Sequence, residues 1–360
     1  MDEILKHLRQ FQTGESDGLL ALRIPLPTSE SGMVERRCPS ESCTPRVFQL
    51  GAGPGTRELD EHALARTRRR PGGDGTVCPY CGIMAEDAVF LSPRDREAAL
   101  NHVRWAGAQG VRDALGNMME TMARDFNRRS GGGMISMRME VARGAQTPKP
   151  SHYREDMLRT LTCDVCSRRY GVYAVGLFCP DCGATNVIVH FARELQLVRD
   201  QAVLSRVTAD DGQVELAFRL LGNAHEDVLT AFETYLKTLY RFLVTKRTPA
   251  EAPILCSKKA IGNSFQNIEK GRILYASLGI DPYSDCSAED MQLLERNIQK
   301  RHVIGHNLGL ADEAYTEKLG EASPGTMITI SPADITHFAE VCAAVVQHII
   351  DVAPELARAS

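Results

Sequence analysis

Four cysteines in the pattern C-x2-C-x12-C-x2-C constrain this chain more than any other feature: Cys163, Cys166, Cys179 and Cys182. Each C-x2-C turn lets two thiolates approach one ion, and two such knuckles complete a tetrahedron. Between them runs "SRRYGVYAVGLF", whose Tyr, Val and Phe suit short strands crossing from one knuckle to the other. Gly183, directly after Cys182, permits the tight turn that a knuckle requires. A redox C-x-x-C is the alternative, but such motifs normally come singly beside a βαβ pattern.

The stretch from about Leu161 to Ile188 therefore resembles a zinc ribbon. A second set, Cys38-x4-Cys43 and Cys78-x2-Cys81, is interrupted by an insertion carrying "LGAGPGT" and an arginine-rich loop. Metal binding tolerates such an insertion, because loop-closure entropy grows only slowly with length. A second zinc ribbon is expected here, against the alternative of unpaired surface cysteines. With four thiolates at each site no coordination position stays open, so both ions would be structural. Cys256, Cys286 and Cys342 stand alone and read as free thiols. "GAGPGT" matches neither a Walker loop nor a dinucleotide turn and reads as a turn.

The chain has 360 residues and a net charge of −4, so any nucleic-acid contact must come from local patches. One patch, Arg66, Arg68, Arg69 and Arg70, lies beside Pro and Gly and reads as a mobile loop, either solvated or touching phosphate. No run of about 18 apolar residues appears and the first residues lack the build of a secretory signal, so a cytoplasmic protein without membrane contact is expected.

Four segments follow from the patterning. Residues 1–92 hold the first cysteine set, and residues 93–150 form a long helix followed by a strand, "MISMRMEVA". Ser92-Pro93 starts that helix, Gly131 to Gly133 end it, and Val111, Leu115, Met118, Met122 and Phe126 make a packing seam. Residues 151–212 hold the second ribbon and a linking segment. Residues 213–360 carry four amphipathic helices, which must hide their apolar stripes against one another as a bundle. The third begins with a capping box at Ser287 and Asp290, and the fourth with Ser331 as cap and Pro332 in its first turn. The fold class is thus α+β multidomain, ribbons followed by an all-α bundle.

The third of these helices ends in "RHVIGH". At 100° per residue Arg301 falls on the stripe marked by Met291, Leu294 and Ile298, with His302 at its edge and His306 on its flank. A guanidinium belongs there only if it is paired, or if that face opens into a cleft or interface. Snorkelling of Arg301 and capping by His306 are the plainer options. A metal pair of His302 and His306 at i and i+4 lacks an intervening Glu and an obvious third ligand. His225, His337 and His348 read as packing or surface residues.

Arginine, polar residue, three residues, histidine, near the end of a helix in such a bundle, resembles the HEPN family. The likeness covers about residues 213–360, the C-terminal two-fifths. It implies a metal-independent endoribonuclease acting as a homodimer through the helical bundle, with two motifs facing each other. Carried over, Arg301 and His306 are the catalytic candidates, His302 fills the polar position and Asn307 lies beside the histidine; Arg296 and Lys300 on the same helix are candidates for holding RNA. Toxin or antiviral-defence roles follow from the same likeness, with the ribbons choosing the substrate or sensing a protein or nucleic-acid trigger. The rival class is a non-enzymatic adaptor, in which zinc ribbons bind nucleic acid or protein and the bundle only dimerises.

Overall fold

The computed structural model describes residues 2–16, 19–22, 24, 28–29, 31–51, 53, 57–130, 140, 158–320 and 322–357. The strand expected in "MISMRMEVA", the linker after it and most of "GAGPGT" lie outside the described residues.

The first half begins with α1 (Asp2–Arg9) and a hairpin of β1 (Gln12–Ser16) and β2 (Leu19–Leu22). Next come β3 (Met33–Arg37), β4 (Val47–Gly51), the short α2 (Glu61–Ala65), and a second small hairpin of β5 (Thr76–Val77) and β6 (Met84–Ala85). Helix α3 (Pro93–Ser130) follows, started by the Ser92 hydroxyl, which accepts from the Asp95 N–H at 3.0 Å. The expected seam on α3 is not covered: Val111, Leu115, Met118 and Met122 are exposed, Met122 by 60%.

Strands β7 (Arg159–Thr162) and β8 (Arg169–Val172) complete a four-stranded antiparallel sheet in the order β3-β4-β8-β7. Its centre is a long-range pairing, Phe48 opposite Val172 and Leu50 opposite Tyr170. The two cysteine sets, read from sequence as separate units, therefore share one sheet. They also share one core, in which the Phe48 ring meets Phe90 at 5.9 Å and Tyr80 at 6.4 Å, both edge-on.

The helical half holds α4 (Val187–Asp210), α5 (Val214–Arg247), two single turns α6 (Ala252–Leu255) and α7 (Lys258–Ile261), α8 (Ile268–Ala276), α9 (Ala288–Asn307), α10 (Glu313–Leu319), α11 (Pro332–Val352) and α12 (Pro354–Ala357). Helix α4 lay in the segment read as a link. It buries Val187, Phe191, Leu195, Val198 and Ala202, a three- and four-residue spacing, against α5 and α11. It is a main member of the helical lobe, whereas α8 is only nine residues long. The caps on α9 and α11 stand as read: Ser287 and Asp290 bond reciprocally, and Ser331 Oγ accepts from the Asp334 N–H at 3.1 Å. Helix α11 is long and apolar enough to cross a membrane, and half of its apolar stretch is buried inside the protein.

The arginine loop joins the two lobes instead of moving freely. Arg68 stacks 3.8 Å over the Phe178 ring and donates to the Glu355 carbonyl at 2.7 Å, while Arg66 pairs with Asp164 at 2.7 Å. Phe178 in turn packs on Phe242 of α5 at 5.3 Å. Thr185 bonds the Leu356 carbonyl, and Arg247 pairs with Glu355 at 2.8 Å.

Candidate functional site

Both cysteine sets are assembled. Cys38 and Cys43 sit in the β3–β4 turn and face Cys78 and Cys81 of the β5–β6 hairpin. Cys163 and Cys166 sit in the β7–β8 turn and face Cys179 and Cys182. Within each set the sulfurs lie within 4.8 Å of one another, and the shortest pairs are 3.6 and 3.7 Å. Metal–sulfur bonds of about 2.3 Å in a tetrahedron put sulfurs about 3.8 Å apart, so both sets fit a four-coordinate structural ion.

Three of the turns have the same backbone. The N–H of the residue after the second cysteine donates to the carbonyl of the first: Gly82 to Cys78 at 3.0 Å, Ser167 to Cys163 at 2.9 Å, and Gly183 to Cys179 at 2.9 Å. Gly82 and Gly183 take φ of +74° and +72°, where L residues are strained. The "CPYCG" and "CPDCG" knuckles also hold each other: Val77 N–H donates to the Pro180 carbonyl and Leu177 N–H to the Pro79 carbonyl. Two copies of one element are thus locked head to head, a repeat visible in the sequence only as a short string.

The second site is a cleft of about 620 Å3 between α5, α9 and α10. Arg301, His302 and His306 line it together, with Glu226 and Glu233 of α5, Gln266, and Lys318 of α10. His302 and His306 are exposed, and their ring centroids are 4.8 Å apart. Arg301 is 31% exposed and lies 3.7 Å from the Glu233 carboxylate. Both conditions placed on this arginine by its position are met, since it is paired and its face opens into a cleft.

Glu233 anchors the floor. It is buried, and its carboxylate accepts from Lys237 and, at 3.0 Å, from Gln266 Nε2, besides facing Arg301. Its signal in the sequence was an acid on the apolar face of α5, beside Phe232 and Leu236. Gly305 brings α9 close to α5, because a Cβ there would stand 3.0 Å from a Glu226 carboxylate oxygen.

Behind the cleft, His225 and Asn297 join α5 to α9. Asn297 Nδ2 donates to the Leu293 carbonyl, so its oxygen accepts from His225 Nε2 at 3.0 Å. The His225 ring stacks on Phe338. Burial, reinforced by Lys300 and Arg301 nearby, pushes its pKa down to about 4, so His225 is neutral at pH 7.

The remaining candidates lie elsewhere. Asn307 donates to Asp312 at 2.9 Å, steadying the cap of α10, and does not line the cleft. Lys300 is 8% exposed, donates to the Thr329 carbonyl at 3.1 Å and is outside the cleft lining. Arg296 is half-buried and outside the cleft lining. Lone cysteines fall as read, with Cys342 buried and Cys256 and Cys286 partly exposed, all free thiols. Among the described residues only the two tetracysteine groups bring three or more metal-ligating side chains within 4.8 Å of one another. Compared with known proteins, the chain matches no family model, no curated protein and no solved structure.

Proposed function

We propose that the chain is an endoribonuclease of HEPN type that cuts RNA without a catalytic metal, on a structural frame of two zinc ions. The observation that carries this reading is the convergence of Arg301, His302 and His306 on one open cleft, with Arg301 tethered by Glu233.

The chemistry needs a base for the 2′-hydroxyl proton and an acid for the leaving oxygen. The 2′-oxygen attacks phosphorus, the bond to the 5′-oxygen breaks, and the products are a 2′,3′-cyclic phosphate and a 5′-hydroxyl. Histidine titrates in the range both roles require. The guanidinium of Arg301 offers forked donors to the phosphoryl oxygens as their charge develops. Its 3.7 Å contact with Glu233 is loose enough to leave donors for substrate. One chain supplies one Arg301–His306 pair; a homodimer that opposes two copies supplies both base and acid. A toxin or antiviral-defence effector fits such an activity, and the ribbons would then recognise substrate or trigger.

The test is cleavage of total RNA in EDTA over a period short enough that bound metal, measured afterwards, is retained. New 3′ ends carrying cyclic phosphate are expected. Ends bearing 3′-hydroxyl would overturn the proposal, and a folded dimer that leaves RNA intact would favour the adaptor.

A further inference from the structure

His302 and His306 stand at i and i+4 on α9, one turn apart, the spacing at which a helix offers two imidazoles to one ion. Both are exposed, and their ring centres are 4.8 Å apart. A ring centre lies about 3.2 Å from an ion bonded to one of its nitrogens, so two rings at a tetrahedral angle have centres about 5.2 Å apart. The pair already stands close to that spacing.

No third ligand is evident in the sequence, but α5 supplies one. Glu226 lines the same cleft, and its Oε1 lies 3.0 Å from the place a Cβ on Gly305 would take. Gly305 is one turn on from His302 and directly precedes His306, so the carboxylate rests against α9 beside the pair. Among the described residues the side chains of His302, His306 and Glu226 make no hydrogen bond or ion pair, and the two rings touch only each other. The three do not stand within 4.8 Å of one another as the cysteines do. Glu226 is half-buried with no polar partner to hold it, so rotation of its side chain is what completes the set.

Ligand type narrows the ion. Imidazole nitrogens suit zinc, nickel and copper, whereas magnesium and calcium prefer oxygen ligands. Of the charged groups in the lining, Arg301 faces Glu233 at 3.7 Å and Lys318 donates to Gln299 at 3.2 Å, whereas Glu226 is unpartnered and has the sign a cation needs. From the His302–His306 pair and the carboxylate beside it, we infer that the cleft holds a site for one divalent transition-metal ion, ligated by His302, His306 and Glu226 and distinct from the tetracysteine groups. The ion ties α9 to α5 and takes up a nitrogen of each imidazole. That it thereby stops RNA cleavage rests on the function proposed above; the site itself does not.

The test is calorimetric titration of Zn2+ into the full-length protein, its tetracysteine groups filled beforehand and excess metal removed. One further ion per chain is expected to bind and to raise the melting temperature. His302→Ala, His306→Ala and Glu226→Gln should each weaken that binding about tenfold or more, since even groups that only support a ligand contribute about 10- to 100-fold to metal affinity. The two histidines are exposed, so their variants should fold as the wild type does. The inference is overturned if no further ion binds at about 0.1 mM zinc, which would mean very weak affinity. It is equally overturned if the folded variants bind the ion unchanged. None of these readings depends on RNA cleavage. Where the wild type cuts RNA in EDTA, saturating zinc should slow the cutting about tenfold or more, because an ion on His306 removes an acid–base group that contributes about 10²- to 10⁴-fold. Cutting undiminished at saturation would also overturn the inference, whereas no cutting even in EDTA would count against the proposed function alone.

Discussion

Acidification from pH 7.5 to 5.5 should destabilise the protein through His225, by an amount the structure sets. The ring is enclosed between α5, α9 and α11, bonded to Asn297 and stacked on Phe338, and its folded-state pKa is pushed down to about 4. In the unfolded chain it titrates at the ordinary value of about 6.5. Between those values the unfolded state takes up a proton that the folded state refuses, so stability is fully present above pH 6.5 and falls as the pH drops. At pH 5.5 the loss relative to pH 7.5 is about 1.3 kcal/mol. The figure changes little if the folded-state value moves by a unit, because pH 5.5 still lies above it. Urea unfolding of the wild type and His225→Gln at both pH values isolates the effect. The glutamine's lost stacking is the same at both and cancels in the difference. The wild type should lose about 1.3 kcal/mol more than the variant over this interval. Parallel losses would mean that His225 is already charged in the folded protein beside Lys300 and Arg301, and the α5–α9 packing argued above would be wrong.

Other consequences can be checked as directly. Cys166→Ser should remove the metal ion from its own tetracysteine group; a structural zinc ion, the metal such a group suits, contributes about 10–16 kcal/mol of apparent binding energy, comparable to a whole domain's stability. Because β4 and β8 share one core, the variant's first site should also bind metal more weakly, and an unchanged first site in metal titrations would refute that coupling. Phe178→Ala should cost about 3–5 kcal/mol in urea unfolding, since it empties the joint under Arg68 and beside Phe242; a cost under about 1 kcal/mol would show that this joint does not hold the lobes together. Glu233→Gln keeps the shape but releases Arg301, and should reduce kcat for RNA by about tenfold with a smaller change in KM. Unaltered kinetics would remove Glu233 as a positioning residue.

Much of this was legible where the signal is local. Cysteine spacing gave both ligand sets, and the caps at Ser287 and Ser331 follow from three-residue patterns that depend on nothing distant. The pairing of β4 with β8 was not legible, because strands more than a hundred residues apart leave no mark on each other's sequence. Helix α4 had the right periodicity, but its place in the helical lobe depends on the partner face of α5. The arginine loop has the composition of a mobile turn, and only the position of Phe178 beneath Arg68 pins it. On α9 the sequence put Arg301, His302 and His306 close together and they line one cleft, but Lys300 and Arg301 are 100° apart, enough to bury one and open the other. Glu233 was hidden by the reading of α5 as an apolar stripe, although a lone acid on such a stripe is itself a signal.

The most direct test of the central proposal is the rate of RNA cleavage by Arg301→Ala and His306→Ala, each measured in EDTA beside the wild type. Both variants must first be shown to melt and to retain metal as the wild type does. Loss of a general acid–base group typically costs about 10²- to 10⁴-fold and loss of a donor to the developing charge about 10²- to 10³-fold, so each should fall at least a hundredfold while the wild type yields cyclic phosphate ends. Cleavage by either variant at the wild-type rate would contradict the proposal and remove this cleft as the seat of activity.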